Sequence, residues 1–222
     1  IRDLRMSRGL GDVYKRQEDK KGNIWFGTDK GAYILNKSDY RVHPIDPKRL
    51  KNIPVMYLYA TSDGSMWLGY RSVLAKYDTN GQLVKEYPIR NEHGGASISG
   101  FCESRNHEII ISVWNGRVYH LDKEKDEFIP YPDKMRSRNP TVMVQDNEQD
   151  YFWLATWGDG VVRFDPSAPG DSMFVYSEIP VNAAGEEDGL ILSLAQDDKL
   201  GYIWLTTGHD FMALQILSLI HI

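Results

Sequence analysis

Two tryptophans and three charged side chains carry the chemistry in this chain that a ligand is best able to use. Trp114 lies in Val113-Trp114-Asn115-Gly116 and Trp157 in Thr156-Trp157-Gly158-Asp159, both among polar and glycine residues rather than inside an apolar run. An indole face with polar neighbours is a surface on which a pyranose ring stacks, and Asp159, Arg71 and Asp29 offer groups that hydrogen-bond hydroxyls. Packing against a neighbouring domain or loop is the commoner use of such residues.

Other candidates are weaker. Asp146, Glu148 and Asp150, or Asp197 with Asp198, lack the ligand order and closing glutamate of a calcium loop and read as solvated turn residues. His43, His93, His107, His120 and His209 are scattered, with no metal-ligand spacing. Cys102, in the apolar run Ile98-Ser99-Gly100-Phe101-Cys102, reads as a small buried thiol. There is no phosphate-cradling glycine loop and no nucleophile elbow. The expectation is a segment without catalytic residues, metal or cofactor, although carboxylate pairs suited to glycoside hydrolysis are defined by spatial separation, which a sequence does not supply.

What positions these residues is a repeat. Asn23-Ile24-Trp25-Phe26-Gly27-Thr28 returns as Ser65-Met66-Trp67-Leu68-Gly69-Tyr70, Tyr151-Phe152-Trp153-Leu154-Ala155-Thr156 and Tyr202-Ile203-Trp204-Leu205-Thr206-Thr207. A copy without tryptophan, Glu108-Ile109-Ile110-Ile111-Ser112-Val113, lies midway. From Trp25 through Trp67, Ile110, Trp153 and Trp204 the steps are 42, 43, 43 and 51 residues. A period of that length with several short strands per unit predicts an all-β fold, a β-propeller fragment of about four and a half four-stranded antiparallel blades, because one small sheet cannot bury both faces alone. The repeated tryptophans are expected to fill the interfaces between blades. Trp114 and Trp157 each fall four residues beyond the repeat position, in the turn between second and third strands, where other units carry Asp29, Arg71 and Gly208. Those turns are expected to share a face with the connections between blades, so that adjacent blades present two tryptophans on one rim.

Unit two shows the grammar. Val55 to Ala60 predicts the innermost strand, Ser62-Asp63-Gly64-Ser65 a turn, Met66 to Tyr70 and Val73 to Tyr77 the next strands, and Leu83 to Tyr87 an outer strand stopped by Pro88. The extra residues before the last unit, at 166–170 and 180–189, are turn-rich and are expected to lengthen loops without adding an element. The last unit is expected to break off after Gly208-His209-Asp210.

An acidic turn, a glycine, Ile-Trp-hydrophobic-Gly-Thr and a strand ending in aspartate together resemble the two-component regulator propeller repeat. The resemblance covers residues 18–216 and weakens in unit three, where Ile110 replaces tryptophan and Ser112 glycine. It implies an open arc of a seven-bladed disc from the periplasmic sensor region of an inner-membrane hybrid two-component histidine kinase of Bacteroidetes type. The implied ligand is an oligosaccharide, a glycan breakdown product. The implied partners are the remaining blades, a β-sandwich domain of the same chain and a second protomer. The alternatives are a secreted propeller enzyme, lyase or glycosidase, a carbohydrate-binding propeller, and a scaffold whose ligands are proteins.

The ends read differently. Residues 7–17, SRGLGDVYKRQ, are what a transposon-based sequencing adapter encodes in translation, and the residues before them fit the same primer; LSLIHI at 217–222 is its reverse complement. Residues 1–17 and 217–222 are therefore expected to be translated adapter, and 18–216 an internal slice of a longer frame. Setting aside the five basic and two acidic residues of these ends moves the formal net charge from −5 to about −8. An acidic surface without a basic stripe repels phosphate backbones, which argues against direct nucleic-acid binding. No apolar run reaches the ~20 residues needed to cross a bilayer, so membrane attachment is expected only through segments outside this chain. An unclosed set of blades exposes sheet faces, so the isolated chain is expected to associate; size-exclusion chromatography with light scattering checks this, and a monomer that unfolds cooperatively would contradict it.

Overall fold

In a computed structural model the described residues are 13–91, 94–114, 117–132, 135, 139–177, 180, 184–197, 199 and 201–215. They form two compact units, Ile1–Ile98 and Ser99–Ile222. The fold is all-β and is built from propeller blades.

In the first unit, blade one is β1 (Val13–Glu18), β2 (Ile24–Thr28), β3 (Gly31–Leu35) and β4 (Val42–Ile45), antiparallel and in sequence order. A single helical turn, α1 (Pro47–Leu50), leads to blade two: β5 (Tyr57–Ala60), β6 (Met66–Tyr70), β7 (Val73–Tyr77) and β8 (Leu83–Pro88). A two-residue ladder, β9 (Arg90–Asn91) with β10 (Gly94–Gly95), follows. In the second unit, blade three is β11 (Ile98–Glu103), β12 (Ile109–Val113), β13 (Arg117–Asp122) and β14 (Glu127–Pro130). Blade four is β15 (Pro140–Gln145), β16 (Phe152–Thr156), β17 (Val161–Phe164) and β18 (Phe174–Tyr176). Blade five has three described strands, β19 (Ile191–Gln196), β20 (Tyr202–Thr207) and β21 (Phe211–Gln215).

The second strand of each blade sorts its side chains by pleat. In blades one and four the repeated tryptophan packs against the following blade, and in blades two, four and five the residues on either side of that position pack against the preceding one. In the first unit Trp25 and Ala32 pack with Met66, Leu68, Ala75 and Tyr77. In the second, Trp153, Ala155 and Val161 pack with Ile191, Leu194, Ile203 and Leu205. Ile110, in the tryptophan place of blade three, meets Phe152, Leu154, Val162 and Phe164. The smaller isoleucine is compensated by an aromatic cluster: the Phe164 ring stacks on Phe174 at 5.1 Å and meets Tyr131 edge-on at 5.0 Å. Gly27 has its own reason, since a Cβ there would overlap the Val55 carbonyl oxygen of the next blade's approach.

A residue ahead of the repeat strand closes the first turn; Glu148 and Asp150 are exposed as expected, Asp197 is half-buried, Asp198 lies outside the described residues, and the expectation fails at Asp146. Asp146 is only 3% exposed, and Asp19 is also buried. One oxygen of Asp19 accepts the Lys21 and Asn23 N–H groups at 2.8 and 2.9 Å, and the other accepts Trp25 Nε1–H at 2.9 Å. Asp146 divides its oxygens alike, between Glu148 and Gln149 N–H at 2.9 Å and Trp153 Nε1–H at 2.8 Å. In blade five Trp204 donates to Asp197 at a longer 3.3 Å. Blade two has Thr61 in this place, whose hydroxyl bonds Asp63 at 2.7 Å, while Asp63 takes the turn amide of Ser65.

Several boundaries differ from the sequence reading. β5 starts at Tyr57, because the Val55 N–H bonds Thr28 and the Met56 N–H bonds Gly69. Pro88 belongs to the outer strand, opposite Val73, where an edge position needs no N–H. Among the described residues, the insertion before blade five contains a 3-10 turn, Gly170–Met173, whose Met173 carbonyl accepts the Asp165 N–H. The last unit continues past Asp210 into β21, paired along β20. Residues 13–17, within the adapter-like segment, pair with β2 through backbone groups that any sequence supplies, and their side chains are mostly exposed.

Two outcomes follow. Trp153→Ala is expected to cost about 3–5 kcal/mol, and Asp146→Ala about 1–3 kcal/mol for the orphaned indole and turn amides, with a smaller loss for half-buried Trp204→Ala; urea midpoints at unchanged m-value check this. Burial pushes the Asp19 carboxyl up, but the bonds from Trp25, Asn23 and Lys21 together outweigh it and leave it below its ordinary value. A carboxyl so depressed stabilises the fold above the unfolded-state value, about pH 4, and that contribution is lost as pH falls through the folded value. Wild type should therefore exceed Asp19→Asn in stability at neutral pH, and the gap should narrow below about pH 4 in unfolding curves taken across pH.

Candidate functional site

In blades one, four and five the turn between second and third strands is built by the threonine that ends the repeat. Thr28 Oγ1 donates to the Gly31 carbonyl at 2.9 Å and accepts the Lys30 N–H at 3.1 Å. Thr156 does the same with Gly160 at 2.7 Å and the Asp159 N–H at 3.1 Å. Thr207 bonds the Asp210 carbonyl at 3.2 Å and accepts from His209 and Asp210 N–H at 3.1 and 2.8 Å. The hydroxyl satisfies the turn backbone, so the residues between are left to vary.

These turns share a face with the connections between blades. In the first unit the Asn52 N–H reaches the Lys30 carbonyl at 3.0 Å. In the second, the Trp157 N–H bonds Asn139 at 2.8 Å, Gly158 N–H bonds Gly189 at 2.8 Å, and Trp157 bridges Leu190. Gly189 lies so close that a Cβ on it would strike the Gly158 carbonyl.

The second unit brings Trp114 and Trp157 together: their ring centroids are 5.8 Å apart, with planes inclined by 58°. Trp157 is 53% exposed and Trp114 half-buried. The 58° inclination means the two rings are not a flat double platform. Asp159 follows on the same turn, half-buried. Asp29 and Arg71 belong to the first unit. Arg71 is exposed, in the left-handed backbone region at φ 52°. Asp29 is half-buried, with Oδ1 enclosed and without a hydrogen-bond partner.

One pair on this face escaped the sequence reading. Asp188, in the connection to blade five, is 4% exposed, and its Oδ2 lies 3.2 Å from His209 Nδ1. The Thr207 hydroxyl and His209 together hold this carboxyl below its ordinary range, against a smaller effect of desolvation. A carboxylate only accepts, so Nδ1 carries the proton. The His209 side chain is 75% exposed. His209 was visible as one residue past the repeat's variable turn place; Asp188 lies in the non-repeating connection and left no signal.

Elsewhere, Cys102 is buried as expected, and desolvation pushes its thiol up to about 11. In the first unit a cleft of about 720 Å³ runs between β4 and the outer turn of blade two. Arg49 there bonds Asp46 at 3.1 Å and Glu86 at 2.9 Å, and Tyr70 donates to Glu86 at 2.5 Å. Burial beside these carboxylates pushes the Tyr70 and Tyr77 phenols up, so the cluster braces the cleft wall and offers no ionised nucleophile.

Residues 9–30 match the family model described as two component regulator propeller. The chain carries a two component regulator propeller repeat. The matched segment contains the Asp19–Trp25 turn, the interaction that recurs at Asp146–Trp153 and Asp197–Trp204. No curated protein matches the chain by sequence. Among solved structures, the extracellular domain of a hybrid two component system of B. thetaiotaomicron is similar at TM-score 0.71 and 14% identity, over 93% of this chain and 26% of that one. Virginiamycin B lyase of Staphylococcus aureus gives 0.67 and 17% over 94% and 71%. PorZ, a surface component of the type-IX secretion system of Porphyromonas gingivalis, gives 0.66 and 17% over 91% and 32%. At these identities the likeness shows the propeller fold. Among the described residues no helix is long and apolar enough to cross a membrane.

Proposed function

We propose that this chain is a ligand-sensing, extracytoplasmic propeller segment of a hybrid two-component histidine kinase, and that its ligand is a glycan breakdown product. The observation that carries the ligand class is the exposed Trp157 indole, braced by Trp114 and flanked by Asp159, on the turn face of a propeller with the regulator repeat. The likeness to an extracellular hybrid-system domain supports the compartment. In the full receptor its partners are further blades, a β-sandwich domain and a second protomer. Signalling then requires a ligand that binds one arrangement of the propeller, or of the dimer, better than another. The lyase likeness shares the fold without adding a residue to this site.

The test reads the coding DNA across both ends of the frame with long reads, which also decides whether residues 1–17 and 217–222 are adapter. A frame continuing into a membrane helix and a histidine kinase is the expected result. A frame that closes its propeller and stops behind a secretion signal would overturn the sensor reading in favour of a secreted carbohydrate-active protein.

A further inference from the structure

Another cleft in the first unit, of about 410 Å³, lies where the end of the β3–β4 ladder meets α1. On the ladder side Ala32 pairs with Ile45 and Tyr33 with Pro44, and Pro47 and Leu50 of α1 add to the apolar lining. Backbone contacts set its shape. The Asn52 N–H bonds the Lys30 carbonyl at 3.0 Å, and the Ile53 N–H bonds the Leu50 carbonyl at 3.0 Å. Gly31 passes so near that a Cβ on it would lie 2.8 Å from the Leu50 carbonyl oxygen. A site held in this way is formed before a ligand arrives.

The same contacts bring two cations to one cleft. Lys30 and Lys51 both line it and are exposed, and among the described residues neither ammonium group has a hydrogen bond or ion pair. No carboxylate lines the cleft among those residues: Asp29 and Asp46 are chain neighbours of lining residues but not part of the wall, and Asp46 is taken by Arg49. The 720 Å³ cleft is the contrast. Its Arg49 is neutralised by Asp46 and Glu86, and its Lys21 donates to the Thr79 carbonyl and to Asn80 Oδ1 at 2.8 Å. Two like charges beside an apolar hollow are relieved by an anion between them, and the hollow is filled by an apolar tail on that anion. Lysine lays its methylene stem on apolar surface and keeps the ammonium at the water's edge, so the anionic head stays at the rim. The volume falls at the small end of ligand pockets, about 300–1,000 Å³, and so suits a small molecule.

We propose that this cleft binds a small monocarboxylate with an apolar tail. Lys30 and Lys51 hold the carboxylate, and the Ala32–Ile45 and Tyr33–Pro44 pairs with Leu50 receive the tail. The site shares no residue with the tryptophan pair and stands or falls apart from the sugar reading.

The experiment titrates the whole ¹⁵N-labelled chain with acetate, butanoate and hexanoate at constant ionic strength, with hexan-1-ol and hexylammonium as the uncharged and oppositely charged tails. Binding is expected to strengthen from acetate to hexanoate, by up to about fourfold per methylene. Hexanoate should bind more tightly than hexanol or hexylammonium, and the amide signals that move should be those of Gly31, Lys51 and Asn52. Lys30→Gln and Lys51→Gln, exposed changes that leave the apolar lining intact, should each weaken hexanoate about two- to fivefold, the scale of an exposed ion pair, and leave hexanol unmoved. Added salt should weaken hexanoate and spare hexanol. Hexanoate that binds no better than hexanol, or equally well to the double variant, would overturn the role of the lysines. Acetate binding as tightly as hexanoate would overturn the apolar cleft. Signals moving only outside the cleft, or no binding, would overturn the site.

Discussion

A buried aspartate that accepts an indole N–H is the interaction on which these blades depend. Its carboxylate sits where the first strand turns into the second, with one oxygen closing the turn and the other holding the tryptophan that fills the next interface. Neither half stands well alone. A buried carboxylate without donors is costly, and a buried indole N–H without an acceptor loses the water bond it gave up on folding. Together they couple local turn chemistry to packing between sheets, so blades one and four fix their own hairpin and the next blade's packing through one residue pair.

Blades that lack the pair show how the constraint is met otherwise. In blade three both partners are replaced, by Ser104 and Ile110. Ser104 still caps its turn through the Glu108 N–H at 3.0 Å, and Ile110 makes no demand for an acceptor. The volume lost with the indole is regained from the aromatic cluster of the fourth blade. Removing both partners of a buried hydrogen bond costs little when the shape is refilled, which accounts for the coupled change. Blade two closes its first turn with Thr61 and Asp63, which accepts the Thr61 hydroxyl and the Ser65 N–H.

The same economy separates scaffold from site. In blades one, four and five the threonine hydroxyl satisfies the second turn and leaves the next residue, Asp29, Trp157 or Gly208, free to differ; blades two and three carry Tyr70 and Val113 in the threonine place, followed by Arg71 and Trp114. The repeat pattern made that place legible, and it led to Trp114 and Trp157. It did not reveal Asp188, because that residue lies in a connection with no counterpart in the other units, and its partner is His209 on the next turn. Nor did it reveal that Asp19 and Asp146 are buried, since acidic turn residues are ordinarily wet, as Glu148 and Asp150 are, and Asp146 is reached by the Gln196 amide of the next blade.

The sequence by itself determined the blade: the period of the tryptophans, the alternation of side chains along each strand, and the turn residues all follow from local backbone preferences and a two-residue pleat, which are written in adjacent positions. Tertiary structure decided what those residues mean to one another. The 58° tilt of the two indoles, the burial of Asp19 and Asp146, and the meeting of Asp188 with His209 arise between segments far apart in the chain. Distances and desolvation of that kind exist only once sheets stack, so no reading of spacing along one strand contains them.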